Sequence, residues 1–228
     1  MSTLFLSRAR LKRDASLASL AQLLLPAEAG ARTASSHRLV WALFADGPNR
    51  RRDFLWREEG PGRFMTLSAR PPNRLDDLFD LDSQEFAPAL VAGDRLGFTL
   101  RANPVIARSA GPGQRGKRHD VVMDALHHLP IGERTAHRPD AVITAGRAWF
   151  ERQGTTHGFE PDKGIDVEGY DTLRIPRDHG GEAAKFGVLE LKGVLKVQDP
   201  KRFIGALATG FGRARAFGCG LMLIRRVR

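Results

Sequence analysis

One cysteine, Cys219, and one tyrosine, Tyr170, stand among 228 residues. A lone cysteine excludes an internal disulfide and any zinc site built on cysteines, and it fits a reducing compartment, the cytoplasm. No run of about 18 apolar residues occurs, so no membrane span is expected. The first residues, "MSTLFLSRARLKR", hold only a short apolar patch before basic residues, unlike a secretory signal. None of the seven histidines falls in a spaced ligand pattern such as H-E-x-x-H, so no metal is expected. A G-x-S-x-G elbow, a Walker phosphate loop and a dinucleotide fingerprint are also missing, which leaves no cofactor to expect. Aromatic residues make up 7% of the chain, with no RNP-type cluster in a strand.

Positive charge is plentiful. Lys and Arg number 36 against 26 Asp and Glu, a formal net charge of +10. Such a balance speaks to partners rather than to fold, and a polyanion such as nucleic acid fits it.

The hydrophobic pattern predicts α+β structure. "TLFLSRARL" (3–11) alternates as a half-buried strand. "DASLASLAQLLLP" places Leu17, Leu20, Ala21 and Leu24 on one helical face and stops at Pro26. "AEAGART" reads as a loop. A second helix is expected from Ser36, a good N-cap, burying Leu39, Val40, Leu43 and Phe44. Two strands, 52–59 and 63–70, flank Gly60-Pro61-Gly62 as a hairpin; a turn and a short helix follow in "PPNRLDDLFD", then a weak edge strand in "DSQEFAPAL".

A second round begins at "DRLGFTLRANPVIAR" (94–108), a strand interrupted by Pro104, followed by a basic glycine-rich loop. Helices are expected over 120–129 and 139–153, one or two short strands before Arg177, and a strand over 186–198. Asp199-Pro200 caps a helix that buries Phe203, Ile204 and Leu207 and ends at Gly210; "CGLMLIRRV" closes the chain as a strand holding Cys219. The outline is two tandem ferredoxin-like, RRM-like βαββαβ units, with domains over 1–90 and 94–228.

Three basic segments are candidate contacts for a polyanion. "GFGRARAFGCG" (210–220) combines Gly210, Gly212 and Gly218 with Arg213 and Arg215, and glycines with open N–H groups beside arginines can cradle an anion. "GQRGKRH" carries Arg115, Lys117 and Arg118. "LRIPRDHGGEAAK" carries Arg174, Arg177 and Lys185 around a Gly-Gly tip, a ribbon that could track phosphates. "NRRRDF" (49–54) is either a further contact or a solvated turn. His37, in "TASSHRLVWALF", is open to two readings from its position: an acid or base, or a polar residue near a helix start.

The "HR-x₂-W-x-LF" helix, "LRANP" (100–104), "GKRH" (116–119) and the terminal "GFGRARAFGCGLMLI" together resemble the CasE family, the CRISPR RNA-processing endoribonucleases of the type I-E Cascade complex. The resemblance spans nearly the whole chain. It implies two ferredoxin-like domains and metal-independent cutting of the CRISPR repeat RNA at the 3′ base of its hairpin, with the crRNA product kept and the protein bound to the other Cascade subunits. It also implies that His37 is the catalytic histidine, that the glycine-rich loop supports the RNA backbone and that the ribbon near Arg174 and Arg177 grips the stem. Arg38 and either Lys117 or Arg118 are expected to stabilise charge at the cut. The chain departs from the family at Ala34, where a helper tyrosine often stands; either Ser35, Ser36 or a basic side chain assists His37, or cutting is slower. A subunit that holds the hairpin without cutting it is the alternative.

Overall fold

The computed structural model describes residues 3–14, 20–47, 50–109, 111, 113, 114, 116–176 and 181–227. Arg115, Arg177, Leu17 and the first glycine of the Gly180-Gly181 tip lie outside the described residues.

Strand β1 (Phe5–Leu11) buries Ser7, Ala9 and Leu11 and turns Arg8 and Arg10 to solvent, the alternation its sequence carries. The helix expected over 14–26 is reduced, among the described residues, to one turn, α1 (Ala21–Leu24). Leu20 and Leu23 find nothing to cover them and stay 46% and 73% exposed, while Leu24 and Leu25 pack on the core.

Helix α2 (Ala29–Ala42) begins seven residues before Ser36 and takes in most of the segment read as a loop. Its cap is Glu28, whose carboxylate accepts the N–H groups of Gly30 at 2.8 Å and Ala31 at 2.5 Å. Ser36 is therefore no cap; it is buried in mid-helix.

Strands β2 (Phe54–Gly60) and β3 (Arg63–Ser68) form the expected hairpin. In place of the short helix expected next stands a single turn, in which the N–H groups of Leu78 and Phe79 donate to Leu75 O at 2.9 and 2.8 Å. Just before it the backbone is tied to the end of α2. Asn73 N–H donates to Leu43 O at 2.7 Å, and the Asn73 amide donates to Ala45 O at 2.9 Å. The edge strand β4 (Phe79–Glu85) starts earlier than predicted. The sheet order is β2-β3-β1-β4, antiparallel throughout, the ferredoxin-like order without its second helix.

The second unit opens with β5 (Arg95–Ala102). After Pro104 the expected strand resumes as β6 (Val105–Arg108), whereas part of the expected basic loop is strand instead, β7 (Lys117–Asp120); the two pair as a separate ribbon. Asp120 caps α3 (Val121–Leu126) by accepting from Val122 and Met123. Helix α4 (Arg134–His157) is longer than expected and stops at Gly158, whose φ of 77° suits glycine. There follow β8 (Phe159–Pro161), β9 (Asp166–Ile175), β10 (Ala184–Val197), α5 (Pro200–Thr209) and β11 (Met222–Arg226). The order β11-β5-β10-β8, with β9 also on β10, again matches the ferredoxin-like pattern. As predicted, Asp199 caps α5 and Phe203 and Leu207 are buried; Ile204 is only half-buried, and Cys219 is buried in the loop before β11 rather than in it.

Two seams join the units. Leu55, Met65, Leu67 and Leu221 form one apolar cluster, with Phe86 and Leu223 against it. Helix α2 rests on β9, where Ala34 packs with Leu173, Ile175 and Val188. Among the described residues no helix is long and apolar enough to cross a membrane.

Candidate active site

His37 is the ninth of fourteen residues in α2. It therefore does not stand at a helix start, and the free N–H groups of the first turn go to Glu28 rather than to a phosphate near His37. Its setting comes from the other end of the chain. His37 Nδ1 is 2.7 Å from the carbonyl of Ala216, and Trp56 Nε1–H donates to the same oxygen at 3.1 Å. A carbonyl can only accept, so the imidazole proton sits on Nδ1. In the neutral ring Nε2 is then the lone-pair nitrogen. Trp41 and Phe217 flank the ring at centroid distances of 5.9 and 5.7 Å. An open pocket of about 270 Å³ lined by His37, Arg38 and Trp41 gives solvent access.

Burial pushes the His37 imidazolium below its ordinary range, and the positive charges of Arg52 and Arg38 push the same way; the Ala216 bond opposes them. NMR titration of this ring should give a midpoint below the roughly 6.5 of a free imidazole. The unfolded chain takes up a proton that the folded ring refuses, so this group's contribution to stability is present above that range and is lost as pH falls through it. A midpoint above 6.5 would contradict the arrangement.

The glycine-rich loop holds Ala216 in place. Gly212 has φ of 72°, and a Cβ there would lie 2.7 Å from Asn103 O. A Cβ at Gly218 would press on the Trp56 ring at 3.3 Å. The loop's N–H groups turn inward: Phe211 to Gly220 O, Arg213 to Asn103 O and Gly220 to Arg101 O. The expected row of open N–H groups is therefore absent at these positions, and Gly210 and Gly218 are buried. Their conformations let a 3₁₀ turn, Arg215–Phe217, carry the Ala216 carbonyl to the imidazole.

The remaining predicted residues divide by place. Arg38 is exposed beside the pocket, Arg213 is exposed on the loop, and Arg215 is half-buried with Nε donating to Gly212 O at 3.2 Å. Arg174 and Lys185 face each other across β9 and β10, both exposed. Lys117 and Arg118 lie exposed on the β6–β7 ribbon.

Of the helpers considered for His37, the serines are excluded by burial. Ser35 donates to Leu24 O at 2.8 Å and Ser36 is enclosed. Tyr170 is committed elsewhere: burial, and then Asp120, push its hydroxyl well above its ordinary range, and Arg138 lies 5.1 Å over its ring. Of the basic side chains, Arg52, in the stretch open to reading as a further contact or a solvated turn, is half-buried and its charge bears on His37. The usable signal was the local charge count. Asp53 and Asp46 pair with Arg50 and Arg70, and Arg52 takes part in no ion pair among the described residues. Among the described residues no cluster of three or more His, Cys, Asp or Glu is placed to hold a metal ion.

Residues 4–226 match a family model described as CRISPR associated protein. The chain belongs to this family, as a CasE member. The CasE protein is 30% identical over 148 residues to the CRISPR-associated endoribonuclease Cse3 of Thermus thermophilus, a stretch covering 61% of this chain and 59% of that relative. It resembles the structure of Thermus thermophilus Cse3 bound to an RNA representing a pre-cleavage complex, with TM-score 0.68 and 23% identity over 98% of this chain and 99% of that one. It also resembles the crystal structure of Cas6e from Escherichia coli K-12, with TM-score 0.61 and 20% identity over 98% of this chain and all of that one, 100%. At these identities the likeness of the CasE protein to the two structures is one of fold.

Proposed function

We propose that this CasE protein is an endoribonuclease that cuts CRISPR repeat RNA at the 3′ base of its hairpin, without a metal, and stays on the crRNA as a subunit of a cytoplasmic Cascade complex. The observation that carries this reading is the Ala216 carbonyl holding His37 Nδ1, which leaves Nε2 unbonded at an open, positively charged pocket. The family membership and the name of the Cse3 relative support it.

RNA brings its own nucleophile, so the protein has only to align it, move protons and offset charge. The 2′-hydroxyl oxygen forms a bond to phosphorus while the bond from phosphorus to the 5′-oxygen breaks. The products are a 2′,3′-cyclic phosphate and a 5′-hydroxyl. His37, neutral near pH 7, takes the 2′ proton through Nε2 or, once charged, supplies the proton that the leaving oxygen needs. Arg38 lies at the pocket to meet the phosphate. Arg174, Lys185 and Arg177 grip the stem, as do Lys117 and Arg118 of the second ribbon, and Arg115 adds to them. Arg213 and Arg215 extend the basic surface from the loop, and Gly210, Gly212 and Gly218 serve RNA through the loop's path. Within this reading the units divide as domains 1–90 and 94–228.

A repeat-derived hairpin RNA incubated with the protein in EDTA should be cut once, at the stem base. A 2′-deoxy substitution just upstream of the cut should stop the reaction and leave binding intact. RNA that stays whole in the first incubation overturns the nuclease reading and leaves a hairpin-binding subunit, which the alanine at position 34 would suit. Binding itself should weaken steeply with salt.

A further inference from the structure

A second cleft, of about 250 Å³, adjoins His37 and shares no lining residue with the pocket described above. Its apolar sides are Trp56 and Pro61 from the first ferredoxin-like unit and Leu173 and Phe217 from the second. Phe217 also packs on the His37 ring, and Thr33, on the rim of the cleft, precedes His37 by one helical turn. Three charged side chains line the cleft. Arg101 Nη1 donates to Glu190 at 2.6 Å, and Arg32 Nη1 donates to Ala27 O at 3.2 Å, so both are engaged. Glu58 is not matched in this way: it is half-buried and takes part in no ion pair among the described residues. Its Oε1 is enclosed by protein without a hydrogen-bond partner, so a ligand in the cleft meets the carboxyl at Oε2. A half-buried acceptor is costly, and an N–H donor entering the cleft offsets that cost. A carboxylate beside engaged arginines suits a phosphate poorly. Apolar walls about a single acceptor suit a flat ring with an amino edge, and unpaired RNA bases are held in this way, by packing on their faces and hydrogen bonds at their edges.

We propose that this cleft takes the base of the first nucleotide past the cut, and that Glu58 selects a base with an exocyclic amino group, adenine, cytosine or guanine, over uracil. This rests on the ribonuclease reading above. A cut at the base of the hairpin leaves that nucleotide outside the stem, so its edge is free to turn into the protein. The amino group donates to Glu58 Oε2 while the ring lies against the apolar sides. Uracil carries a carbonyl oxygen on each side of its one ring N–H, and these would face the carboxylate with charge of the same sign.

Four repeat hairpins, identical except at that nucleotide, test the cleft on the full chain. In single-turnover cutting the RNAs with an amino-bearing base should be cut roughly tenfold or more faster than the one with uracil, the worth of one hydrogen bond to a charged group. Glu58→Gln should bring the four rates to within about threefold of one another, because an amide offers a donor as readily as an acceptor. A variant that merely loosened the fold would slow all four alike and leave their ratio standing. Equal cutting of the four RNAs by the unmodified protein therefore overturns the proposal, and so does a Glu58→Gln protein that keeps the preference against uracil. The same four RNAs with a 2′-deoxy group just upstream of the cut give the Kd of the uncut complex, and the unmodified protein should bind the uracil form most weakly. Failure of the ribonuclease reading would appear differently: all four RNAs would stay whole, and the Kd series would still report whether the cleft favours an amino-bearing base.

Discussion

His37→Ala should lower single-turnover cutting of the repeat hairpin by about 10²–10⁴-fold, the usual worth of a positioned acid or base. Binding of the hairpin should hardly change, because the basic surfaces on the ribbons and the loop remain. The fold should survive as well. The Ala216 carbonyl loses one of its two donors but keeps Trp56 Nε1–H, so no buried acceptor is orphaned and the loss is that of one hydrogen bond, about 1 kcal/mol. The variant therefore separates chemistry from structure. Gel analysis of cleavage beside filter binding reads both, and cutting within tenfold of the unmodified rate would remove His37 from the catalytic role.

Gly30→Ala should be far more damaging than helix propensity suggests. Alanine in place of glycine in a helix is ordinarily worth about 1 kcal/mol of stabilisation. Here a Cβ would lie 1.8 Å from Arg174 O and 3.0 Å from the Arg174 carbonyl carbon, both backbone atoms of β9. Neither can rotate away, so the seam between α2 and β9 has to open. Overpacking of this kind costs about 1–3 kcal/mol and at times more. At roughly 2–4 °C per kcal/mol for a chain of this size, the melting temperature should fall by several degrees. Cutting should fall too, since α2 carries His37. Gly47→Ala, with nothing within 4 Å of its would-be Cβ, is the neutral control. A Gly30→Ala protein that melts higher than the unmodified chain would show that the seam is not the tight contact described.

What could be read from the sequence was what neighbouring residues decide together. The alternation in β1 and β10, the Gly60-Pro61-Gly62 turn and the Asp199-Pro200 cap are local, and each formed where expected. The start of α2 was missed because a glutamate, an unusual cap with a long side chain, reached the helix N–H groups while a textually better serine lay buried. The helix expected after β3 shrinks to one turn for a longer-range reason: from Phe79 the chain is already strand, paired with Leu11 of β1. The site shows the same division. The resemblance pointed to His37, but neither the carbonyl that orients it nor the arginine beside it is near it in sequence. Ala216 is 179 positions away. The glycines of 210–220 were legible as special; that their freedom serves an inward hydrogen bond rather than an open cradle depends on where Asn103 and Trp56 lie.

The bond from His37 to Ala216 also sets an order of events. Ala216 follows His37 by 179 positions, so during synthesis the helix bearing the imidazole is made well before the oxygen that fixes the ring's tautomer. Until the glycine-rich loop is made, the ring has no carbonyl to hold its proton on Nδ1. A chain stopped between the two would lack the arrangement on which the proposed cutting depends.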